Sequence, residues 1–287
     1  MQNQKPFWAR RILGSLLVWG VALLFTAVGS LMAFPPAPYY TIFGDVRDEF
    51  GSLVPSGATV IFYYQSKEMA RYPITAVAGQ DYNYQIRMRL DMNSAGTAVY
   101  NSIAVQSGFP YSLKVDIGGV NYLPIEISSK APTVGAAADR KRLDLTLGVD
   151  TDLDGLPDAW ERTVLQRLGF PLTDLGRITP NGVLEGDGLT NLQKYISGTY
   201  SGDTAQSFYL KIKDVTDTDV GVEFYTLTNK VYSIEKSADL ATWAPVSFTV
   251  GLGSAVSVYT ATGTEVVGAR IPWVSGEEKA FYRLKVR

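Results

Sequence analysis

Twelve consecutive residues, DTDLDGLPDAWE from Asp150 to Glu161, carry five carboxylates around a single glycine. Like charges packed this densely repel one another unless a cation lies between them. Their spacing is ordered. Asp150, Asp152 and Asp154 alternate, Gly155 follows, and Asp158 and Glu161 come after it. A twelve-position calcium loop takes oxygen ligands at positions 1, 3, 5, 7, 9 and 12, the seventh through its carbonyl, with glycine at 6 for the sharp turn. Asp150, Asp152 and Asp154 fill 1, 3 and 5, Leu156 offers its carbonyl at 7, and Asp158 and Glu161 fill 9 and 12. The stretch therefore reads as a calcium site, with Glu161 in the first turn of the helix that follows.

Composition narrows the chemistry in the same direction. The chain has 287 residues and contains neither cysteine nor histidine. That excludes disulfides, thiolate catalysis, Cys-ligated metals and histidine-based triads. Oxygen ligands are what remains, and they suit hard cations such as Ca2+. With 26 basic against 28 acidic residues, no basic excess points to nucleic acid. No G-x-S-x-G, H-E-x-x-H, phosphate loop or dinucleotide fingerprint is present, so no enzyme is expected. A glycoside hydrolase using paired carboxylates is the weakest alternative, because the clustered acids already fit a metal loop.

The N-terminus carries an export pattern. Lys5, Arg10 and Arg11 precede Ile12 to Ala33, 22 residues without a charge. A secretory h-region is about 7–15 residues and a spanning helix needs about 20, so residues 1–36 fit a signal peptide or a signal anchor. Either places the rest of the chain outside the inner membrane, in the periplasm, at the cell surface or beyond. If uncleaved, the helix is the membrane contact.

The exported part is expected to be mainly β: two β-sandwich domains joined by a short α-helical calcium-binding segment. In 37–148, ATVIFYYQ is β-branched and aromatic, and Tyr82, Tyr84, Ile86, Met88 and Leu90 alternate onto one face. SLKVDIGGVNYLPIEI reads as a hairpin turning at Gly118–Gly119. RKRLDLTLG reads as a strand, so no helix enters the first loop. In 203–287, FYLKIKDV, GVEFYTL, KVYSIEKS, VSVYTAT and AFYRLKVR read as strands. Between them, in 149–202, Trp160, Val164, Leu165 and Leu168 fall at helical spacing before Gly169, and Leu189, Leu192, Tyr195 and Ile196 before Gly198. This second helix follows VLEGDGLTNLQK, a degraded loop with Val183 at position 1, Glu185 at 3, Asp187 at 5, Asn191 at 9 and Lys194 at 12. Glu185, Asp187 and Asn191 either complete the first site or serve as turn and cap residues.

Three stretches carry resemblances. Gly44, Val46, Asp48, Gly51, Gly57, Ala58 and Val60 resemble the opening of a carboxypeptidase regulatory-like or Cna B-like domain, which implies a stalk or adhesive sandwich. The pair DTDLDGLPDAWE and EGDGLTNLQKYISGT is similar to thrombospondin type 3-like and dockerin-like repeats, which bind calcium through EF-hand-type loops. Leu153 departs from that pattern where glycine is usual, as a change expected to be benign; Val183 and Lys194 depart where Asp and Glu are usual. VYSIEKSADLATW and FYRLKV, including Trp243 and Tyr282, resemble a fibronectin-like C-terminal module of bacterial extracellular proteins.

The expected function is that of an exported calcium-binding structural or adhesive protein of the bacterial cell envelope. Calcium would rigidify the inter-domain linker, and a surface protein or glycan would be the partner. The alternative is a carbohydrate-binding protein in which Trp243 and Trp273 stack on sugars.

Overall fold

Alternation of buried and exposed side chains builds the first third of the fold. The computed structural model describes residues 38–75, 80–91, 103–184, 187–200, 208–273 and 279–287. The N-terminal export segment lies outside the described residues. Among the described residues no helix is long and apolar enough to cross a membrane. The first strands are β1 (Tyr40–Gly44), β2 (Val46–Arg47), β3 (Thr59–Tyr64), β4 (Lys67–Pro73) and β5 (Tyr84–Leu90). They are followed by β6 (Ala104–Val105), β7 (Tyr111–Ile117), β8 (Val120–Tyr122), helix α1 (Ile125–Ser129), β9 (Arg140–Arg142) and β10 (Leu145–Thr146). One four-stranded sheet has the order β6-β5-β1-β9, a second the order β4-β3-β7-β8, and β2 pairs with β10.

In β5, Tyr84, Ile86, Met88 and Leu90 are buried while Arg87 and Arg89 are exposed. The buried set meets Ile42 of β1, Val60 and Phe62 of β3, and Leu113 and Val115 of β7 in one continuous core. Tyr82 does not belong to the buried row. It precedes β5, and its ring meets Phe43 edge-on at 5.4 Å. Gly118 and Gly119 both take positive φ, the geometry of a two-residue hairpin turn. The hairpin ends at Tyr122, however, because Pro124 opens the short helix α1 where a strand is expected.

The middle of the chain forms α2 (Asp158–Leu168), a 3-10 turn at Leu175–Arg177, and α3 (Asn191–Ser197). Gly169 and Gly198 end the two helices in the left-handed conformation. Thr190 caps α3 through a reciprocal pair with Gln193, so the cap is neither Asp187 nor Asn191. Leu156, Trp160, Val164, Leu165, Leu175, Ile178 and Tyr195 form a separate small core. Leu192, which falls on the apolar side of the helical pattern, is exposed.

The last part holds β11 (Lys211–Val215), β12 (Asp219–Thr226), β13 (Val231–Ser237), β14 (Ala244–Val246) and β15 (Phe248–Val250). It continues with β16 (Ala255–Val256), β17 (Tyr259–Thr260), β18 (Glu265–Pro272) and β19 (Phe281–Val286). β12 and β18 pair along eight residues inside a five-stranded antiparallel sheet. β13 lies between β19 on one side and β14 and β17 on the other. A third core, around Phe224, Ile234 and Phe248, fills this part.

Pro38–Arg287 forms one compact unit, and its three cores are tied at a polar joint. Lys230, 4% exposed, donates to the carbonyls of Gly51 and Ile196. The Tyr195 hydroxyl donates to the Asp48 carbonyl at 2.7 Å. A Cβ at Gly51 would stand 2.0 Å from the Tyr195 carbonyl oxygen, so only glycine lets this turn reach α3. Nearby, fully buried Asp45 gathers Arg47 at 3.2 Å, Arg142 at 3.3 Å and Arg287 at 3.5 Å.

Burial, and then the Arg47 charge, lower the Lys230 pKa to about 7. The unfolded chain therefore holds more protons than the folded chain between that value and the ordinary lysine value. Lys230 therefore contributes stability that rises with pH across this window. Carboxylates and tyrosines with raised pKa values contribute the opposite slope, so the lysine is isolated by comparing the wild type with Lys230→Met. We expect the stability difference between the two in chemical denaturation to grow by up to about 1.4 kcal/mol per pH unit above neutrality; a difference that is flat or falls there would contradict the assignment.

Candidate metal centre

The acidic loop is shaped by its own backbone before any ligand enters. The Asp158 amide donates to the Val149 carbonyl at 2.8 Å and closes the loop at its base. Asp150 accepts from the Gly155 amide at 2.9 Å and from the Asp154 amide at 3.3 Å, and Asp154 accepts from the Leu156 amide at 2.8 Å. Gly155 turns the chain at φ +99°. The Leu156 side chain is buried in the core of the helical segment, which pins the backbone at position 7. These constraints bring one oxygen from each of Asp150, Asp152 and Asp154 within 4.8 Å of one another. The three could hold a metal ion.

Glu161 supplies the decisive detail. It is 0% exposed, and neither carboxylate oxygen has a hydrogen-bond partner. Asp154 Oδ2 is buried and unpartnered as well. Buried carboxylates without donors are costly, so these orphaned oxygens mark a place for a cation. Burial raises the Glu161 pKa to about 8, and Asp152, Asp154, Asp158 and Asp150 push in the same direction. Burial likewise raises Asp152, reinforced by Asp150, and raises Asp154.

Asp158 has another task. Its oxygens accept from the Thr151 amide at 2.7 Å, the Thr151 hydroxyl at 2.6 Å and Arg162 at 2.8 Å. Burial alone would raise its pKa, but these donors hold it below the usual carboxylate value. The carboxylate at position 9 thus ties position 2 of the loop to the first turn of α2. Thr151 and Arg162 escaped the sequence reading; the four-residue spacing of Asp158 and Arg162 on a helix is the signal that could have found the second.

The loop before α3 repeats this backbone. Asn191 donates its amide to the Gly182 carbonyl at 2.9 Å, Asp187 accepts from the Leu189 amide at 3.1 Å, and Gly188 turns at φ +81°. The difference lies at position 12. Lys194, 1% exposed, places its ammonium 3.0 Å from Asp187. A cation attached to the chain stands where the first loop has orphaned carboxylates. The Asn191 side-chain amide donates to the Thr179 carbonyl at 2.8 Å, and Val183 is exposed. Glu185 lies outside the described residues.

Comparison with known protein families, with curated proteins and with solved structures finds no match for this chain.

One residue of the loop is less benign than its sequence context suggests. Leu153 adopts φ +62° and is 70% exposed. The left-handed conformation costs a side chain with a Cβ about 1–2 kcal/mol, and exposed Leu153 recovers little by packing. Leu153→Gly is expected to stabilise the protein by about 0.5–1 kcal/mol, net of the entropy glycine adds to the unfolded chain. Chemical denaturation measures this, and a destabilised variant would mean that the side chain makes a contact worth more than the strain.

Proposed function

We propose that this chain is an exported calcium-binding structural protein in which two β-sandwich modules flank a helical segment ordered by one calcium ion. The observation that carries the reading is Glu161: a fully buried carboxylate with both oxygens unpartnered, which lies outside the 4.8 Å group of the three aspartates but near enough to feel their charge. Asp150, Asp152, Asp154 and Glu161 would hold the ion, with the Leu156 carbonyl as a further oxygen. All-oxygen, highly anionic donor sets favour calcium over softer metals. Ion binding would remove the repulsion at the base of α2 and join loop to helix, since Glu161 belongs to both.

The sandwich reading is supported by the first and third cores, each filled from facing sheets. The resemblances to carboxypeptidase regulatory-like, thrombospondin type 3-like and fibronectin-like modules belong to this proposal, as does export through the N-terminal segment. The sugar-binding alternative gains no support. The Trp243 ring carries the Arg283 guanidinium at 4.3 Å over its face, and its indole N–H donates to the Leu240 carbonyl. A hydrolase is disfavoured because the aspartates crowd together instead of facing each other across a substrate.

Calorimetric titration of the full chain should give one calcium per chain, in the range of about 10⁻⁴–10⁻³ M or tighter. Binding should be lost in Asp150→Ala/Asp154→Ala. Because Glu161 titrates near 8, it is protonated at neutral pH without the ion and must release that proton to ligate. Titrations in buffers of different ionisation heat should therefore report close to one proton released at pH 7. Affinity should weaken by up to about tenfold per pH unit below 8. Absence of calcium-dependent heat in the wild type would sink the reading.

The second loop supplies an independent check. With Lys194 replaced by a ligand and the missing first carboxylate restored, the stoichiometry of Val183→Asp/Lys194→Glu should rise from one calcium to two. A folded double variant that still binds one ion would show that Lys194 is not what keeps the second loop free of metal.

A further inference from the structure

The outer face of the sheet β6-β5-β1-β9 holds arginines that the fold does not use. Arg87 of β5 and Arg140 of β9 both lie opposite Thr41 of β1, so the three form one row across the sheet. Adjacent strands are about 4.8 Å apart, which puts the two arginines about 10 Å from each other. Arg89 stands two residues further along β5 on the same face. All three are exposed, and none has an acidic partner among the described residues. Their neighbour Arg142 is different: it pairs with Asp45, Asp81 and Asp144.

Two of these arginines rest on aromatic rings. Arg87 lies over Tyr39 at 4.6 Å and Arg140 over Phe43 at 5.0 Å, and Phe43 packs on Tyr82. Beside this row, between β4 and β5, opens a cleft of about 290 Å³. Phe62, Met69 and Met88 give it an apolar lining, and Arg87 and Arg89 contribute its charge. An apolar lining with cations beside it fits an amphipathic anion, in which a charged head joins an apolar body. Tyrosine and arginine are also the side chains that settle at a membrane interface.

Chain length indicates which anion is at hand. Only Phe34 to Tyr39, six residues, separate the uncharged stretch Ile12 to Ala33 from the start of β1. Six residues reach at most about 20 Å. If the stretch spans a membrane, β1 cannot travel far from the lipid headgroups.

We propose that this face, through Arg87, Arg89 and Arg140 and the cleft beside them, docks on anionic phospholipid headgroups of the membrane from which the chain emerges. The proposal rests on the reading of residues 1–36 as an uncleaved anchor and adds to it a defined contact surface. The docked protein would lie with this sheet against the bilayer, leaving the opposite sheet, the helical segment and the C-terminal strands free for other contacts. Each arginine brought to an anionic surface strengthens association by about fivefold.

The absence of cysteine makes the test clean. Gln85→Cys places a fluorescent label on the arginine face, and Ser112→Cys places one on the outer face of the sheet containing β7. The full chain is reconstituted in vesicles of phosphatidylcholine alone or with phosphatidylglycerol added, each containing a headgroup-quencher lipid. We expect the Gln85→Cys label to be quenched several-fold more with phosphatidylglycerol, and this gain to be lost in Arg87→Gln/Arg89→Gln/Arg140→Gln. The Ser112→Cys label should respond to neither change. Equal quenching in both vesicles, or a gain that survives the triple substitution, overturns the docking surface while the anchor stands, provided the chain resists an alkaline carbonate wash. A gain abolished by inorganic phosphate at constant ionic strength would make this a site for soluble anions and also overturn the proposal. A chain released by the wash is not anchored; the anchor reading then fails, and the docking proposal fails with it.

Discussion

Repulsion among carboxylates that cannot turn away from each other governs the middle of this chain. An exposed acidic run relaxes by rotating its side chains into water. The loop at Asp150–Glu161 has lost that freedom, because Asp150 and Asp154 are held by backbone amides of the turn they build. Glu161 is on a helix whose next-door residue, Trp160, is buried in the segment core. The helix cannot withdraw Glu161 without withdrawing Trp160. Two states can relieve the strain: a proton on Glu161, or a cation shared among the carboxylates. Both follow from the same geometry, and the Glu161 pKa is raised by burial first and by the neighbouring aspartates second.

The second loop meets the same geometric problem with a cation carried by the chain itself. Its turn, its closing amide and the position of Asp187 follow those of the first loop. Lys194 supplies the positive charge from within. Such a pair has no concentration dependence and does not exchange. Burying the lysine is expensive in isolation, and Asp187 at 3.0 Å, held below its usual pKa by Lys194 against the opposing effect of burial, offsets that cost.

Much of this was legible in residue order, and the parts that were not share a cause. Alternation in YNYQIRMRL, helical spacing in AWERTVLQRL and the glycine stops at Gly169 and Gly198 are local signals, and local structure follows them. The carboxylate spacing of the first loop is local as well. Strand β18, at the centre of the C-terminal five-stranded sheet, was missed although Val267, Ala269 and Ile271 alternate; its small inward residues give a weak hydrophobic signal. Tyr82 continues the alternation of β5 in sequence, but the strand begins only after it. The joint was invisible, because Gly51, Tyr195 and Lys230 are far apart in the chain and none belongs to a motif that names the others. Nothing in the sequence distinguishes Lys230 from a solvated turn lysine.

Placing the joint changes what an ion at the first loop can control. The contacts to both neighbouring parts run through α3 and its C-terminal end: Tyr195 to Asp48, and the Ile196 carbonyl to Lys230. That helix is stabilised by its own capping box and by the Lys194–Asp187 pair, neither of which needs a metal. The loop that could hold an ion lies instead at the start of α2, whose Trp160 meets Tyr195 of the joint edge-on at 6.0 Å. Loss of the ion would therefore loosen α2 and the loop first and leave the polar joint in place. An ion in this arrangement would tune the rigidity and protease resistance of one side of the segment, while Lys230, Tyr195 and the close approach that Gly51 alone permits join the flanking parts without it.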